Sequence, residues 1–282
     1  MKNIHLNQNE IEKLLPARKK NTHKGDYGKL LLLCGSKGYT GAAALSAMGA
    51  LRTGAGLVYL GVPESVYGII ATKLLEPVVL PLPDTDGKLN ISSIIELSKI
   101  INRMDAVLVG PGLGLSEGTS QIICWLLENY DGPLVVDADG INLMKPHMDV
   151  LRGRTSPTIL TPHADEFLRL GGNLDKGRVA SAVEMANEIS SIIVLKGNET
   201  VITDGKTIYV NPTGNPGMAV GGSGDVLAGI IVSLLGQKLT PLEAAACGAW
   251  LHGAAGDICA YEIGQYGMLP SDMLEVLPRL LK

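Results

Sequence analysis

The chain has 282 residues, of which 46% are apolar and 18% are charged. This composition is typical of a globular protein with a large core, and it excludes a mainly disordered chain. The net charge of −4 lacks the basic excess of a nucleic-acid-binding protein, so local backbone amides and a few cations would have to hold any anionic ligand. The four cysteines are widely spaced, which favours free thiols in a reducing compartment over zinc or a disulfide framework.

We expect residues 1–24 to form a polar leader and residues 25–282 to form a single domain. The leader contains a helical pattern over residues 7–15 that Pro16 ends, followed by a basic cluster that includes Lys19. We find no apolar segment typical of a secretory signal, and none that approaches the roughly 20 residues needed to span a bilayer. The sequence therefore predicts a cytoplasmic location.

Short aliphatic runs alternate with helical patterns along most of the chain. Strands are predicted at 29–34, 57–62, 106–110, 134–137, 158–161 and 192–196, and helices at 41–53, 91–102, 116–129 and 177–190. This alternation predicts an α/β fold in which a mainly parallel sheet carries helices on both faces. A hairpin of strands 200–203 and 207–210 follows, joined by Asp204-Gly205, and then helices at 223–236, 240–262 and 271–281.

The most informative segment is the run NPTGNPGMAVGGSGDVLAG at residues 211–229, where five glycines precede an apolar helix. Glycines let backbone N–H groups approach a ligand, and a helix N-terminus favours an anion by about 0.3–1 kcal/mol. The segment therefore predicts an anion hole that includes Gly222 and Gly224. Asp225 stands where a carboxylate could accept a proton from a hydroxyl brought to the phosphate. The alternative is that Asp225 caps the helix.

Two other loops follow predicted strands. The sequence GPGLG at 110–114 leaves backbone exposed at the sheet edge, which is also typical of an ordinary strand-to-helix turn. After Pro162, His163 could contact a substrate and Glu166 could hold a water of a magnesium ion. For His163 the alternative is a helix cap or a surface group.

A third loop begins at Lys196, which offers a cation next to a backbone nest at Gly197 and Asn198 suited to phosphate. An ordinary tight turn with a solvated lysine is the alternative. Asp137 and Asp139 follow another strand and could order magnesium or cap the next helix, and we favour the capping role for Asp139. His252, within a helix of small residues, is expected to be structural.

Two nucleotide-binding fingerprints are missing from the sequence. No GxxxxGK[ST] loop is present, and the glycines after the first strand do not fit GxGxxG. The hypothesis that the protein is an NAD-dependent oxidoreductase therefore lacks its main sequence evidence. The first loop still follows a strand, at the edge where open α/β sheets bind ligands.

Five segments together resemble one family: YGKLLLLCGSKGYTGAAALSAMGALRTGAGLV, GPGLG, LTPHADEF, VLKGNETVI and the glycine-rich run. They are similar to the ADP/ATP-dependent NAD(P)H-hydrate dehydratases of the ribokinase-like superfamily, from about residue 24 to the end. The resemblance implies a three-layer ribokinase-like fold with the hairpin near the nucleotide site. It also implies ADP-dependent dehydration of the S epimer of NADHX or NADPHX to NADH or NADPH, which yields AMP and phosphate and requires Mg²⁺.

The same resemblance implies roles for individual residues. Asp225 would be the base on the substrate hydroxyl, with Gly222 and Gly224 in the anion hole. The other implied positions are a nucleotide-binding segment (Lys196, Gly197, Asn198, Glu199, Thr200, with Asn215 beside it) and substrate contacts (Ala42, Gly112, His163). The sequence departs from the family pattern at Ala164-Asp165, where the family usually has Pro-Gly. The resemblance therefore does not determine the conformation of this turn. A homo-oligomer, tetramer or octamer, is also implied.

Two other functions use the same residues. A ribokinase-like ATP-dependent kinase of a small vitamin-precursor alcohol would use the same anion hole and the same Asp225. A non-catalytic nucleotide sensor is the second alternative, which the intact Asp225 argues against. The sequence leaves open ADP against ATP and NADHX against NADPHX.

Overall fold

The computed structural model describes residues 3–15, 17–18 and 20–281. Pro16, predicted to end the first helix, and Lys19 of the basic cluster lie outside the described residues. Within the described ranges, no helix is both long enough and apolar enough to cross a bilayer.

A ten-stranded sheet forms the centre of the molecule. In chain order the strands are β1 (Asn3–His5), β2 (Lys29–Leu33), β3 (Leu57–Pro63), β4 (Val78–Leu82), β5 (Asp84–Thr85), β6 (Lys88–Leu89), β7 (Ala106–Val109), β8 (Leu134–Val136), β9 (Thr158–Leu160), β10 (Ile192–Leu195), β11 (Thr200–Thr203) and β12 (Ile208–Asn211). Strands β5 and β6 pair separately, and the others lie in the order β1-β12-β11-β10-β9-β8-β7-β2-β3-β4. Pairing is parallel except on the two sides of β11.

Helices cover both faces of this sheet. They are α1 (Gln8–Leu14), α2 (Thr40–Arg52), α3 (Glu64–Lys73), α4 (Ser93–Ser98), α5 (Glu117–Asn129), α6 (Asp139–Met144), α7 (Met148–Gly153), α8 (Ala164–Arg169), α9 (Arg178–Glu188), α10 (Ser223–Gly236), α11 (Pro241–Glu262) and α12 (Pro270–Val276). Successive side chains of a strand point to opposite faces, and β2 shows the result. Leu30 and Leu32 pack with α2 and α10, whereas Leu31 and Leu33 pack with α5. The predicted three-layer α/β architecture is confirmed.

Each of the six predicted core strands begins at the predicted residue and ends within one residue of the predicted end. The hairpin is confirmed as well, but β12 starts at Ile208 because the Asp204 carboxylate accepts the backbone N–H groups of Lys206 and Thr207, at 2.9 and 2.7 Å. The single helix predicted over 91–102 is wrong, since α4 ends at Ser98 and a 3₁₀ turn follows at Ile101–Arg103.

Helices α2 and α10 touch through their backbones. A Cβ on Gly49 would lie 2.8 Å from the carbonyl oxygen of Val226, and a Cβ on Gly229 would lie 2.2 Å from that of Ser46. Only glycine fits at these two positions, because any Cβ atom would clash with the backbone of the facing helix. Both helices begin on the side of the sheet where β2 and its parallel neighbours end.

Candidate active site

The predicted functional loops meet at the carboxyl edge of the sheet. Strands β2, β7, β8, β9 and β10 are parallel neighbours, so the loops that follow them lie side by side. Hydrogen bonds tie adjacent loops together: Gly35 N–H donates to the carbonyl of Pro111 at 2.8 Å, and Lys196 N–H donates to that of Pro162 at 2.8 Å. The sequence reasoning that placed these motifs at one edge is therefore supported by the topology.

A cavity of about 760 Å³ opens at this edge, between the loop after β10 and the segment that leads into α10. Both ends of the β11–β12 hairpin line it, as do the start of α10 and part of α11. Of the residues predicted for the nucleotide, the cavity is lined by Lys196, Gly197, Asn198, Thr200, Asn215 and Gly224. Glu199 and Gly222 are not among the lining residues.

Lys196 is the charged centre of the site. Its Nζ lies 2.7 Å from Asp137 Oδ1 and 3.7 Å from Glu166 Oε2, and both carboxylates are buried. Burial alone would lower the pKa of Lys196, but the attraction of Asp137 and Glu166 outweighs burial and raises it. The amine is therefore a fixed cation and not the solvated lysine that the sequence left open. Thr161 Oγ1 donates to the same oxygen of Asp137 at 2.7 Å.

Asp225 lies in the first turn of α10, beside this centre. Burial and the charge of Asp137 raise its pKa, Lys196 partly offsets them, and the net result is a rise from 3.8 to about 6. The alternative of a capping aspartate is not what the structure shows, because Gly222 is the N-cap residue, in the left-handed conformation at φ +98°, and no capping hydrogen bond from a side chain is found there. Asp225 is a partly buried carboxylate poised to exchange a proton near neutral pH.

The glycines of the predicted anion hole differ in what surrounds them. A Cβ on Gly224 would lie 3.4 Å from Lys196 Nζ and 3.7 Å from Asp137 Oδ2, so this residue faces the charged centre. A Cβ on Gly222 would instead lie 2.5 Å from Leu45 Cδ1 and near Pro270. Gly224 leaves space for a ligand, whereas Gly222 provides the backbone conformation that starts the helix.

His163 is the N-cap of α8. The ring Nδ1 of His163 accepts the backbone N–H of Asp165 at 3.1 Å. The backbone N–H of His163 donates to Glu166 Oε2 at 2.9 Å. This reciprocal capping box keeps the turn intact despite Ala164-Asp165. The cap is the alternative that the sequence left open for His163, and the ring also lines the cavity.

Gly112 and Ala42 lie together at the neighbouring part of the edge. A Cβ on Gly112, where φ is +58°, would come within 2.7 Å of Ala42 Cβ and 2.9 Å of Tyr39 Cβ. Two residues predicted to contact the substrate, one in the first turn of α2 and one in the loop after β7, are thus brought into contact. Neither is among the residues that line the 760 Å³ cavity.

The expected capping role of Asp139 is wrong. Its Oδ2 accepts the N–H of Gly114 at 2.8 Å and so fixes the 110–114 loop. The residue before it, Ala138, is the N-cap of α6 at φ 49° and ψ −118°, a conformation that an alanine adopts only when its surroundings enforce it. Asp137 and Asp139 therefore organise two different loops of the same site.

Sequence reasoning missed Arg178 and Asp257. Arg178 Nη2 donates to the carbonyls of Leu195 and Lys196, at 2.7 and 3.0 Å, where β10 passes into the loop that follows it. Asp257 of α11 accepts from Gly214 N–H and Asn215 Nδ2, at 2.9 and 3.0 Å. Both act across long stretches of chain, and no local pattern in the sequence marks either one.

The chain matches known proteins over most of its length. A family model described as NAD(P)H-hydrate dehydratase matches residues 30–279. A bifunctional NAD(P)H-hydrate repair enzyme of Moorella thermoacetica is 44% identical over 95% of this chain and 52% of the relative. This chain thus spans about half the length of such bifunctional relatives. An ADP-dependent (S)-NAD(P)H-hydrate dehydratase of Cenarchaeum symbiosum is 33% identical over 98% of this chain and 96% of the relative.

Solved structures give the same result for the fold. A ribokinase-like superfamily protein of Enterococcus faecalis superposes with a TM-score of 0.87, at 28% identity over 99% of this chain and 95% of that chain. The ADP/ATP-dependent NAD(P)H-hydrate dehydratase of Bacillus subtilis, co-crystallised with ATP/Mg²⁺, superposes with a TM-score of 0.82, at 33% identity over 98% and 97%. The predicted ribokinase-like fold is confirmed.

Proposed function

This chain belongs to the NAD(P)H-hydrate dehydratase family, and on that premise we propose that it repairs hydrated nicotinamide cofactors. The reaction is the ADP-dependent dehydration of the S epimer of NADHX or NADPHX, which returns NADH or NADPH and releases AMP and phosphate. The names of the C. symbiosum and B. subtilis relatives support this nucleotide requirement. The observation that carries the proposal is Asp225, a carboxylate with a pKa raised to about 6 in the first turn of α10, next to the nucleotide-sized cavity.

The chemistry assigned to Asp225 is proton removal from the substrate hydroxyl. The oxygen then attacks the terminal phosphorus of ADP, and the bond between that phosphorus and the bridging oxygen breaks to release AMP. The carbon–oxygen bond of the phosphorylated intermediate breaks next, phosphate leaves, and the neighbouring ring carbon loses a proton to restore the double bond. Such phosphoryl transfer needs chiefly positioning and charge stabilisation. A base whose pKa lies near neutral pH is suited to the first step.

The nucleotide would lie in the 760 Å³ cavity. The segment Lys196–Thr200 and Asn215 would surround the AMP portion, and Gly224 would leave room for the terminal phosphate at the start of α10. We assign Glu199 and Gly222 to the same site through the backbone of their loops. The substrate would approach past Ala42 and Gly112, which touch each other outside the lining of this cavity, and past His163, which lines the cavity next to Glu166 of the charged centre.

Magnesium is part of the proposal, and the residues present fit it. Among the described residues, no group of three or more His, Cys, Asp or Glu side chains is arranged to hold a metal directly. Mg²⁺ usually keeps several waters and needs only one or two carboxylates besides the phosphates. Asp137 and Glu166, which flank Lys196, would hold it through water. When bound, the ion supplies positive charge against the phosphate oxygens.

Location and assembly complete the proposal. All four cysteines are free, which supports a reducing, cytoplasmic location. A homo-oligomer is supported by the exposed apolar side chains of residues 261–269, among which Tyr261 and Tyr266 are more than nine-tenths exposed. Light scattering of the purified protein measures the assembly, and a monomer at micromolar concentration would contradict it.

The test is the reduced-nicotinamide absorbance of a mixture of the protein, S-NADPHX, Mg²⁺ and either ADP or ATP. We expect a nucleotide-dependent rise, matched by release of phosphate, and the faster nucleotide identifies the donor. Asp225→Asn should lower turnover roughly 10²- to 10⁴-fold, the usual contribution of a general base, with ADP binding retained. A flat trace from folded wild-type protein, with a phosphorylated small alcohol as product instead, would favour the kinase.

A further inference from the structure

A buried histidine contacts the first residue of α10. His252, in the middle of α11, places Nε2 2.9 Å from the carbonyl oxygen of Ser223 and 3.2 Å from the hydroxyl oxygen of the same residue. Ser223 is 8% exposed and His252 is 9% exposed, yet both line the nucleotide cavity. The pair therefore lies at the boundary between the core and the cavity.

The two contacts fix the hydrogens of the pair. A carbonyl oxygen only accepts, so the nitrogen that faces it carries the hydrogen. Burial lowers the pKa of His252, the hydrogen bond to the Ser223 backbone partly offsets this, and the net value is about 4, so the ring is neutral at physiological pH. Because Nε2–H points at both oxygens of Ser223, the hydroxyl of Ser223 acts as an acceptor toward the ring and must direct its own hydrogen elsewhere.

No acceptor for that hydroxyl hydrogen exists among the described residues, since the only hydrogen-bond partner of Ser223 Oγ is His252. The remaining direction is the cavity that Ser223 lines. A nearly buried hydroxyl with one unused donor, at the positive end of a helix, is suited to an anionic oxygen.

We propose that the Ser223 hydroxyl is a further ligand of the nucleotide and donates to the terminal phosphate of a nucleoside diphosphate, with His252 as the positioning residue that orients it. The proposal rests on the nucleotide use proposed above. The terminal phosphate is the group assigned because Ser223 directly precedes Gly224, whose Cβ would lie 3.4 Å from Lys196 Nζ, and Asp225, the proposed base.

Calorimetric titration of the whole protein with Mg²⁺-ADP and with AMP tests it. Ser223→Ala should weaken ADP binding roughly 10- to 100-fold, the range for a hydrogen bond to a charged group, and leave AMP binding within about twofold. Ser233→Ala is the matched control, because Ser233 is buried on the same helix and hydrogen-bonds to Gln237 instead. Its ADP affinity should equal that of the wild type.

His252 is tested through two substitutions of similar size. Gln keeps an N–H donor near the position of Nε2, and Met does not, so His252→Gln should retain most of the ADP affinity and His252→Met should lose it. In the Ser223→Ala background, His252→Met should have little further effect. Ser223→Thr keeps the hydroxyl and should bind ADP within about fivefold of the wild type. This variant replaces Ser223→Ala in the test if Ser223→Ala fails to fold.

The outcomes separate the two proposals. If the wild type fails to bind ADP, the proposed nucleotide use is wrong. If the wild type binds ADP and Ser223→Ala binds it equally, only the ligand role of Ser223 is wrong. Equal losses for ADP and AMP in Ser223→Ala would also overturn that role, because the contact would then not be with the terminal phosphate. Additive losses in the double variant would overturn the positioning role of His252.

Discussion

Asp225→Asn should stabilise the fold at the same time as it removes the proposed base. The pKa of Asp225 rises from 3.8 to about 6 on folding, mainly because the carboxylate is buried and faces Asp137. At 1.36 kcal/mol per pKa unit, ionising Asp225 destabilises the folded state by about 3 kcal/mol. The carboxylate is partly exposed, so solvent screening lowers the expected gain to roughly 2 kcal/mol.

The sign of the effect depends on pH. Well below pH 3.8 the carboxyl is protonated in both the folded and the unfolded chain, and its ionisation has no effect on stability. The penalty develops between pH 4 and pH 6 and is complete above pH 6. Asn is never charged, so the gain in Asp225→Asn should be present at pH 8 and almost absent at pH 4.

Thermal unfolding at the two pH values measures this difference. About 2 kcal/mol corresponds to a rise in Tm of roughly 4–8 °C for a domain approaching this size. Asp131→Asn is the matched control, because Asp131 is exposed in the turn before β8, and its Tm should change by less than about 1 °C. An Asp225→Asn protein that is no more stable than the wild type at pH 8, or that gains equally at both pH values, would refute the reasoning.

Three further predictions concern the same site. Turnover of the wild type should rise between pH 5 and pH 7 and then level off, because the pKa of Asp225 is about 6; a profile flat through this range would remove Asp225 as the base. Gly224→Ala should keep the fold but weaken ADP binding about tenfold or more, since its methyl group would lie 3.4 Å from Lys196 Nζ, whereas Gly221→Ala, with open space around it, should bind normally. Lys196→Met should lower the free energy of unfolding by about 3–5 kcal/mol by leaving Asp137 buried without its cation, and adding Asp137→Asn should recover most of that loss; equal stability of the single and double variants in urea would contradict the pairing.

The parts of the fold that the sequence predicts well are those with strong local patterns. The core strands are mainly aliphatic runs, and most of them have a glycine or proline next to at least one end, so their first residues could be predicted directly. Strand β1 and the short helix α6 lack such a pattern, and they contact partners far along the chain. The order of the strands in the sheet could not be predicted from the sequence either, because it depends on pairing between distant segments.

The site follows the same division. Asp225, Lys196 and His163 could be placed at one edge because parallel strands end together, whatever their order. The pairing of Lys196 with Asp137 joins residues 59 positions apart, and local spacing contains nothing that predicts it. The distinction between Gly222 and Gly224 also depends on tertiary neighbours, since both stand in one short glycine-rich motif.

The backbone contact between α2 and α10 has a consequence for how this scaffold can change its substrate. In the proposed reaction the start of α2 would lie on the acceptor side and the start of α10 on the phosphate side, and Gly49 and Gly229 allow the backbones of the two helices to contact each other directly. The span between the reacting groups is thus set by main-chain geometry that side-chain replacement does not adjust. New acceptors would have to be accommodated by the loops at 35–39 and 110–114 alone, while the transfer machinery stays constant.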